Sequence, residues 1–338
     1  MVNYFSLQNY TTYSILSGIK EPKDWVSRAL ELGHKYIGVC EKGNMSSLYE
    51  FQKECKDKDI TPIMGIEMSV YDSILYKDRQ DAKHIGVVLL YIKNQKGFEN
   101  LITLNNISQR RAIPNVPSKE DEENKVDVSL EDARPGGFYY RGRIDIETIS
   151  KYSEGLVCVV PSIDGVAFKN STIDKFKDIK YLLELKDAFG DDFYIGFNPM
   201  VSIEDDVHYH KEALLSHHLQ ESLKFVPLGN THYPLESQAS LYPIVRALDR
   251  NSGGNNKNAE RDLDNAHLVS NEEFLNHLDG KYEDHVVESL FNSLEEITKK
   301  CEFKIDDTKF HLPILDVEVS VKADLLKWVG IGFKEKLC

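Results

Sequence analysis

Short β-branched runs alternate with helix-spaced apolar positions over most of the chain. The runs fall at Tyr36-Ile37-Gly38-Val39-Cys40, 62–68, 84–92, 156–160, 193–197 and 225–229. This alternation predicts parallel strands joined by crossover helices, an α/β domain. A first helix is predicted to start near Pro22, where a missing N–H is not needed, and it places Trp25, Ala29 and Leu32 on one face. Residues 271–278 and 285–301 also carry helical apolar spacing. The last pattern, 323–337, reads as an amphipathic helix with Leu325, Leu326 and Val329 on its face, weakened by Gly330 and Gly332. No stop signal follows Leu337, so the end reads as a cut.

Periodicity stops between Gln109 and Arg143, where Glu120, Asp121, Glu122, Glu123, Asp127, Glu131 and Asp132 cluster. Such a segment buries too little apolar surface to offset its chain entropy, so 109–143 is expected to be a solvated acidic loop. A second flexible loop is expected at 249–262 around Gly253-Gly254. Asp145-Ile146-Glu147 reads as a helix start, where acidic groups suit the positive end of the dipole. His208, His210, His217 and His218 lie in a polar, acidic run and are expected on a solvent-facing helix, not at a metal. His311 sits in a predicted loop.

Charge narrows the partners. The 338 residues carry 41 Lys plus Arg against 55 Asp plus Glu, a net charge of −14. That field repels a phosphate backbone, so direct DNA binding is not expected. No apolar run approaches the ~20 residues of a membrane span, and the N-terminus lacks a secretory pattern, so a cytoplasmic protein without membrane contact is expected. The five cysteines are scattered without a CxxC pair and are expected to be reduced thiols.

Three strings appear in order with helices between them: the N-terminal stretch from Tyr4 to Gly18, Cys40-Glu41-Lys42-Gly43-Asn44-Met45, and Ile63-Met64-Gly65-Ile66-Glu67-Met68. Further strings follow at His84-Ile85-Gly86, Lys96-Gly97-Phe98, Tyr152-Ser153-Glu154-Gly155-Leu156 and Gly229-Asn230-Thr231-His232-Tyr233. Together they resemble the polymerase and histidinol phosphatase (PHP) domain at the start of bacterial DNA polymerase III alpha subunits, in bacterial or phage-encoded form. The resemblance implies a distorted (βα)7 barrel-like PHP domain over 1–270. A helical segment, 271–338, would then lead into the palm and thumb region of a polymerase core.

An active PHP site binds up to three metals through His, Asp and Glu, and such cations polarise phosphoryl oxygens and generate hydroxide. By the resemblance, the family's opening His-x-His falls on Ser6 and Gln8, and a further His falls on Tyr10. The next Thr-Asp-His falls on Cys40-Glu41-Lys42, which keeps a carboxylate but substitutes an ammonium with no lone pair. Two later ligand positions fall on Ser162 and Asn230. Glu67, His84 and His232 survive. Losing even an outer partner costs about 10–100-fold in affinity or activity, and here several ligands are missing together. No cofactor and no catalytic residue are therefore expected. The alternative is zinc or manganese at a single residual site of Glu41, Glu67, His84 and His232. In the metal-free reading, Lys42 enters the hollow and pairs with Glu67 or Glu41.

The function so implied is the N-terminal PHP portion of a replicative DNA-directed DNA polymerase, degenerate at its metal site and serving as scaffold and docking module. The polymerase's catalytic aspartates are not found, so this chain alone would not add nucleotides. Expected partners are the rest of the polymerase, joined or as a split subunit, with a proofreading exonuclease and other replisome proteins. The competing reading is a metal-dependent phosphoesterase or 3′–5′ exonuclease.

Overall fold

The structure is a computed structural model that describes residues 3–74, 83–109, 112–113, 134–135, 142–162, 164–166, 177–200, 223–251, 266–306 and 308. Two expected loops are corrected in part: within 109–143, Ala112–Ile113 and Arg134–Pro135 pair as short antiparallel strands, and within 249–262, residues 249–251 belong to the helix Tyr242–Asn251. The acidic run 118–132, the histidines of 208–218, residues 252–262, His311 and the pattern 323–337 lie outside the described residues.

The strands are β1 (Gln8–Asn9), β2 (Tyr36–Lys42), β3 (Thr61–Tyr71), β4 (His84–Ile92), β5 (Ala112–Ile113), β6 (Arg134–Pro135), β7 (Leu156–Pro161), β8 (Phe193–Phe197), β9 (Lys224–Pro227) and β10 (Asn230–Thr231). The helices are α1 (Pro22–Glu31), α2 (Leu48–Lys56), α3 (Gln95–Gln109), α4 (Ile146–Lys151), α5 (Lys177–Phe189), α6 (Tyr242–Asn251), α7 (Asn271–Leu278) and α8 (Asp284–Lys300). Pro22 opens α1 and buries Trp25, Val26 and Ala29. Asp145 caps α4 by accepting from Thr148 N at 3.0 Å, so the acidic pair there starts a helix as its sequence implies.

Six strands form one sheet in the order β2-β3-β4-β7-β8-β9. The ladder then curls round on itself. β9 runs through Leu228 into β10, β10 pairs in parallel with β1, and Gly38 N of β2 donates to Ser6 O at 2.8 Å. The result is a distorted α/β barrel with β1 inserted between the ends of the sheet.

Not all of it is parallel. β4 runs antiparallel to both β3 and β7, which corrects the uniform parallel expectation. The physical reason is the connection. Asp72 and Lys83 hold the ends of the two strands side by side, with the Asp72 N–H donating to Lys83 O at 3.0 Å and its Oδ1 accepting from Lys83 N at 2.9 Å, so β4 returns beside β3 in the opposite direction.

Inside the ring, Leu7, Cys40, Ile63, Leu89, Tyr91, Val157, Val159, Tyr194 and Val226 form the core, joined from α8 by Leu294 and Ile297 and, just past it, by Cys301. Chain contacts divide the molecule into a compact unit, Met1–Phe303, and a second unit, Lys304–Cys338, so α7 and α8 belong to the barrel unit. Within the second unit, Asp306 Oδ1 accepts from Thr308 N at 2.9 Å.

The end of the barrel where β8 and β9 begin is sealed by charge. Lys300 of α8 contacts Asp192 at 2.8 Å, Glu296 at 2.7 Å and the Tyr194 hydroxyl at 3.0 Å, while Lys224 holds Glu296 at 2.8 Å and Lys93 holds Asp192. Desolvation pushes the Glu296 carboxyl up, but Lys224 and Lys300 outweigh it and leave the pKa below its ordinary value. Among the described residues no helix is long and apolar enough to cross a membrane.

Candidate functional site

The opposite end of the barrel, where β1, β2 and β10 finish, gathers the polar residues singled out in the sequence. Register decides which of them meet. Lys42 pairs with Glu67, Cys40 with Gly65, and Glu67 in turn with Leu89. Since Cys40 and Leu89 point into the core, alternation puts Lys42 and Glu67 on that same inner face and turns Glu41 to the other side of β2.

Glu67, nearly buried, is engaged from β1. The Tyr10 hydroxyl donates to its Oε2, the Gln8 amide reaches the same oxygen at 3.4 Å, and the Gln8 amide also donates to the Tyr10 oxygen. The Lys42 ammonium stands 4.6 Å from the centre of the Tyr10 ring. Behind that ring lies His232, at 4.8 Å between centroids, with Tyr242 on its other side at 4.6 Å. His232 Nδ1 is fixed by Ser17, 3.1 Å from its hydroxyl and 3.2 Å from its carbonyl. Gln8, Tyr10, Lys42, Glu67 and His232 thus form one cluster. The Cys40 thiol below them is pushed up by burial first and then by the negative field of Glu67.

Glu41 stands apart. Its carboxylate accepts from the Thr11 and Ser14 hydroxyls and from Thr11 N at 3.3 Å. Burial raises its pKa against the opposing pull of Ser14 and Thr11. His84 is also remote: it pairs with Tyr71 at the far end of the β3–β4 ladder, its ring 5.0 Å from that of Tyr71. Four residues of extended β3 separate Tyr71 from Glu67, a span of roughly 13 Å. The four residues of the supposed single-metal set therefore do not converge.

Ser6 and Asn230 serve the closing strands. Ser6 O accepts from Gly38, its hydroxyl is 3.5 Å from Thr231 Oγ1, and Asn230 pairs with Gln8. Asn230 Oδ1 meets no hydrogen-bond partner among the described residues. Ser162 is buried and its N–H extends the ladder to Gly196 O at 2.9 Å. Among the described residues no group of three or more His, Cys, Asp or Glu side chains is placed to hold a metal. Among the described residues, Glu67 of the candidate set is bound by a phenol and an amide, Glu41 by two hydroxyls, and the His84 imidazole lies elsewhere.

Sequence reasoning missed Ser17, Tyr242, Thr11 and Ser14. The three hydroxyl residues sit in the same string as Gln8 and Tyr10, and their density there was the available signal. Tyr242 follows His232 by ten positions with nothing in the spacing to mark it.

The fold and this strand-end cluster define an α/β barrel of the kind that carries its chemistry where strands finish. The chain belongs to the PHP domain family, whose sequence profile matches residues 6–199. It is 27% identical over 328 residues to DNA polymerase III subunit alpha of Borreliella burgdorferi, covering 96% of this chain and 26% of that protein. It is 26% identical over 331 residues to DNA polymerase III subunit alpha of Aquifex aeolicus, covering 93% of this chain and 26% of that one. The chain thus spans about a quarter of the length of these relatives. Among solved structures, it is similar to a candidate metal-dependent phosphoesterase of Bifidobacterium adolescentis, with TM-score 0.40, 10% identity, and 68% of this chain and 87% of that one covered. An amidohydrolase of Chromobacterium violaceum solved with sulfate and no metal gives TM-score 0.40 at 14% identity, covering 69% and 88%.

The cluster yields a stability test. Lys42→Ala removes the cation facing a nearly buried carboxylate, and because Lys42 is itself half-exposed the expected loss is about 2 kcal/mol, below the 3–5 of a fully buried pair. Adding Glu67→Gln should recover most of it, since the amide carries no charge to compensate. Urea denaturation of the two single variants and the double variant measures this directly. Additive losses would show that Lys42 and Glu67 do not act on one another.

Proposed function

We propose that this chain is the PHP portion of a replicative DNA polymerase of the polymerase III alpha type, in which protein groups have taken the place of the metal centre. Its role is that of scaffold and docking module for the polymerase part and, through it, for a proofreading exonuclease and other replisome proteins. The observation that carries the reading is Glu67: the one surviving carboxylate of the inner face is occupied by Tyr10 and Gln8, with Lys42 across from it in register. A tyrosine, an amide and an ammonium supply donors and charge where a phosphoesterase needs open lone pairs for cations. The similarity to two polymerase alpha subunits along more than nine-tenths of the chain supports the same reading. We place the start of the segment leading into a polymerase core after Phe303, since α7 and α8 pack with the barrel.

The test is hydrolytic. With manganese or zinc added, mismatched 3′ primer ends and p-nitrophenyl phosphate should be cleaved no faster by this protein than by its Glu67→Gln, His232→Ala double variant. A metal-dependent rate that the double variant loses would replace the scaffold reading with that of a nuclease.

A further inference from the structure

The dipeptide Asp-Gly occurs twice in the chain, at Asp164-Gly165 and Asp279-Gly280. In this pair the side-chain carboxyl is readily reached by the next main-chain nitrogen, because glycine has no side chain to block the approach and turns freely. The two copies meet different surroundings. Asp164 O accepts from Val87 N at 2.9 Å and Val166 N donates to Val87 O at 3.1 Å, so the first copy is held to β4 from both sides, and a Cβ at Gly165 would lie 2.0 Å from Pro161 O. The second copy forms the exposed turn between α7 and α8. Asp279 has φ −57° and ψ 131°, Gly280 has φ +67°, and Lys281 N donates to Leu278 O at 3.1 Å, the geometry of a type II turn. Nothing lies within 4 Å of the missing Cβ of Gly280, and among the described residues neither the Asp279 carboxylate nor the Gly280 N–H has a hydrogen-bond partner.

We propose that Asp279-Gly280 is a modification site at which the main chain isomerises to isoaspartate. The peptide between the two residues rotates first, and the open space around Gly280 admits the movement. The Gly280 nitrogen then attacks Cγ of the protonated Asp279 carboxyl: a C–N bond forms, a C–O bond breaks, and the hydroxyl leaves with the amide proton as water. Water adding back at Cγ of the cyclic imide restores aspartate. Water adding at the main-chain carbonyl leaves the chain running through Cγ, with an extra main-chain methylene and a free α-carboxylate. Mass and charge are unchanged and no further reactant is consumed. The consequence is structural. Leu278 before the turn is buried and Tyr282 after it meets Phe197 edge-on at 5.1 Å, so a longer main chain between them loosens α7 against α8. The free α-carboxylate is the group that a methyltransferase for isoaspartyl residues esterifies, which defines the class of enzyme that would act on the product.

The full chain, aged for weeks at neutral pH and then digested and fragmented by electron transfer, which cleaves isoaspartate in a pattern of its own, tests the site. Isoaspartate at position 279 should build up about tenfold or more faster than at 164, since Asp164 reacts only when its bonds to β4 open. In denaturing urea the two positions should react alike, which assigns the difference to the fold. Asp279→Glu keeps the charge but must close a larger ring, so it should remove the signal at this turn and leave the melting midpoint of freshly purified protein unchanged. Equal accumulation at 164 and 279 in the folded protein, or none at 279 where urea produces it, overturns the proposal.

Discussion

Gly38→Ala is expected to cost more than about 3 kcal/mol and to prevent the barrel from closing at 37 °C. A methyl at Gly38 would lie 2.1 Å from Leu7 O and 2.4 Å from Leu7 Cα, all backbone, with no side chain able to move aside. Either β2 or the segment before β1 must shift, and the Gly38 N to Ser6 O bond that joins them is lost. Asn9 compounds the damage, because its amide donates both to Gly38 O at 2.8 Å and to Ser6 O at 3.0 Å. Gly33 is the control. It has φ of +73° and open space around its missing Cβ, so Gly33→Ala should cost only the left-handed strain of about 1 kcal/mol. Thermal unfolding of the two variants side by side checks the contrast, and similar midpoints would mean that the strands at Gly38 tolerate separation.

His34 should make stability depend on pH in a window of its own. The ring is 4% exposed, meets Tyr4 edge-on at 6.5 Å, and neither nitrogen has a hydrogen-bond partner among the described residues. Burial, and then the positive field of Arg28, lowers its pKa from 6.5 to about 4. The sign follows from proton counts: below 6.5 the unfolded chain takes a proton that the folded protein refuses until about 4, so stability falls as pH drops through this interval and levels off beneath it. At 1.36 kcal/mol per unit, the loss attributable to His34 between pH 7.5 and 4.5 is about 2.5 kcal/mol. Urea denaturation of the wild type and His34→Leu at both pH values isolates it from the carboxylates, which titrate alike in the two proteins. Equal pH dependence in both would show that the imidazole reaches solvent.

Much of the barrel was legible because it rests on local chemistry. Pro22 with its apolar face starts α1, Asp145 caps α4, and 271–278 marks α7 to the residue. Strand direction was not legible, because an apolar run such as 84–92 reads the same either way and only the hairpin at Asp72 fixes β4 as antiparallel. The site was half legible for the same reason. Glu41 and Lys42 are neighbours in sequence, but alternation sends them to opposite faces, and no motif shows which one faces Glu67 until the Lys42 to Glu67 register is known. His84 pairs with Tyr71, four residues beyond Glu67 on β3 and away from the cluster, a register that the string at 84–86 does not reveal.

Metal content distinguishes a filled hollow from a working centre. Protein purified without chelator, then equilibrated with zinc or manganese and desalted, should retain less than about 0.1 ion per chain by elemental analysis, because the inner-face donors are engaged with one another. One or more ions per chain, retained by the wild type and lost in Glu67→Gln, would contradict it.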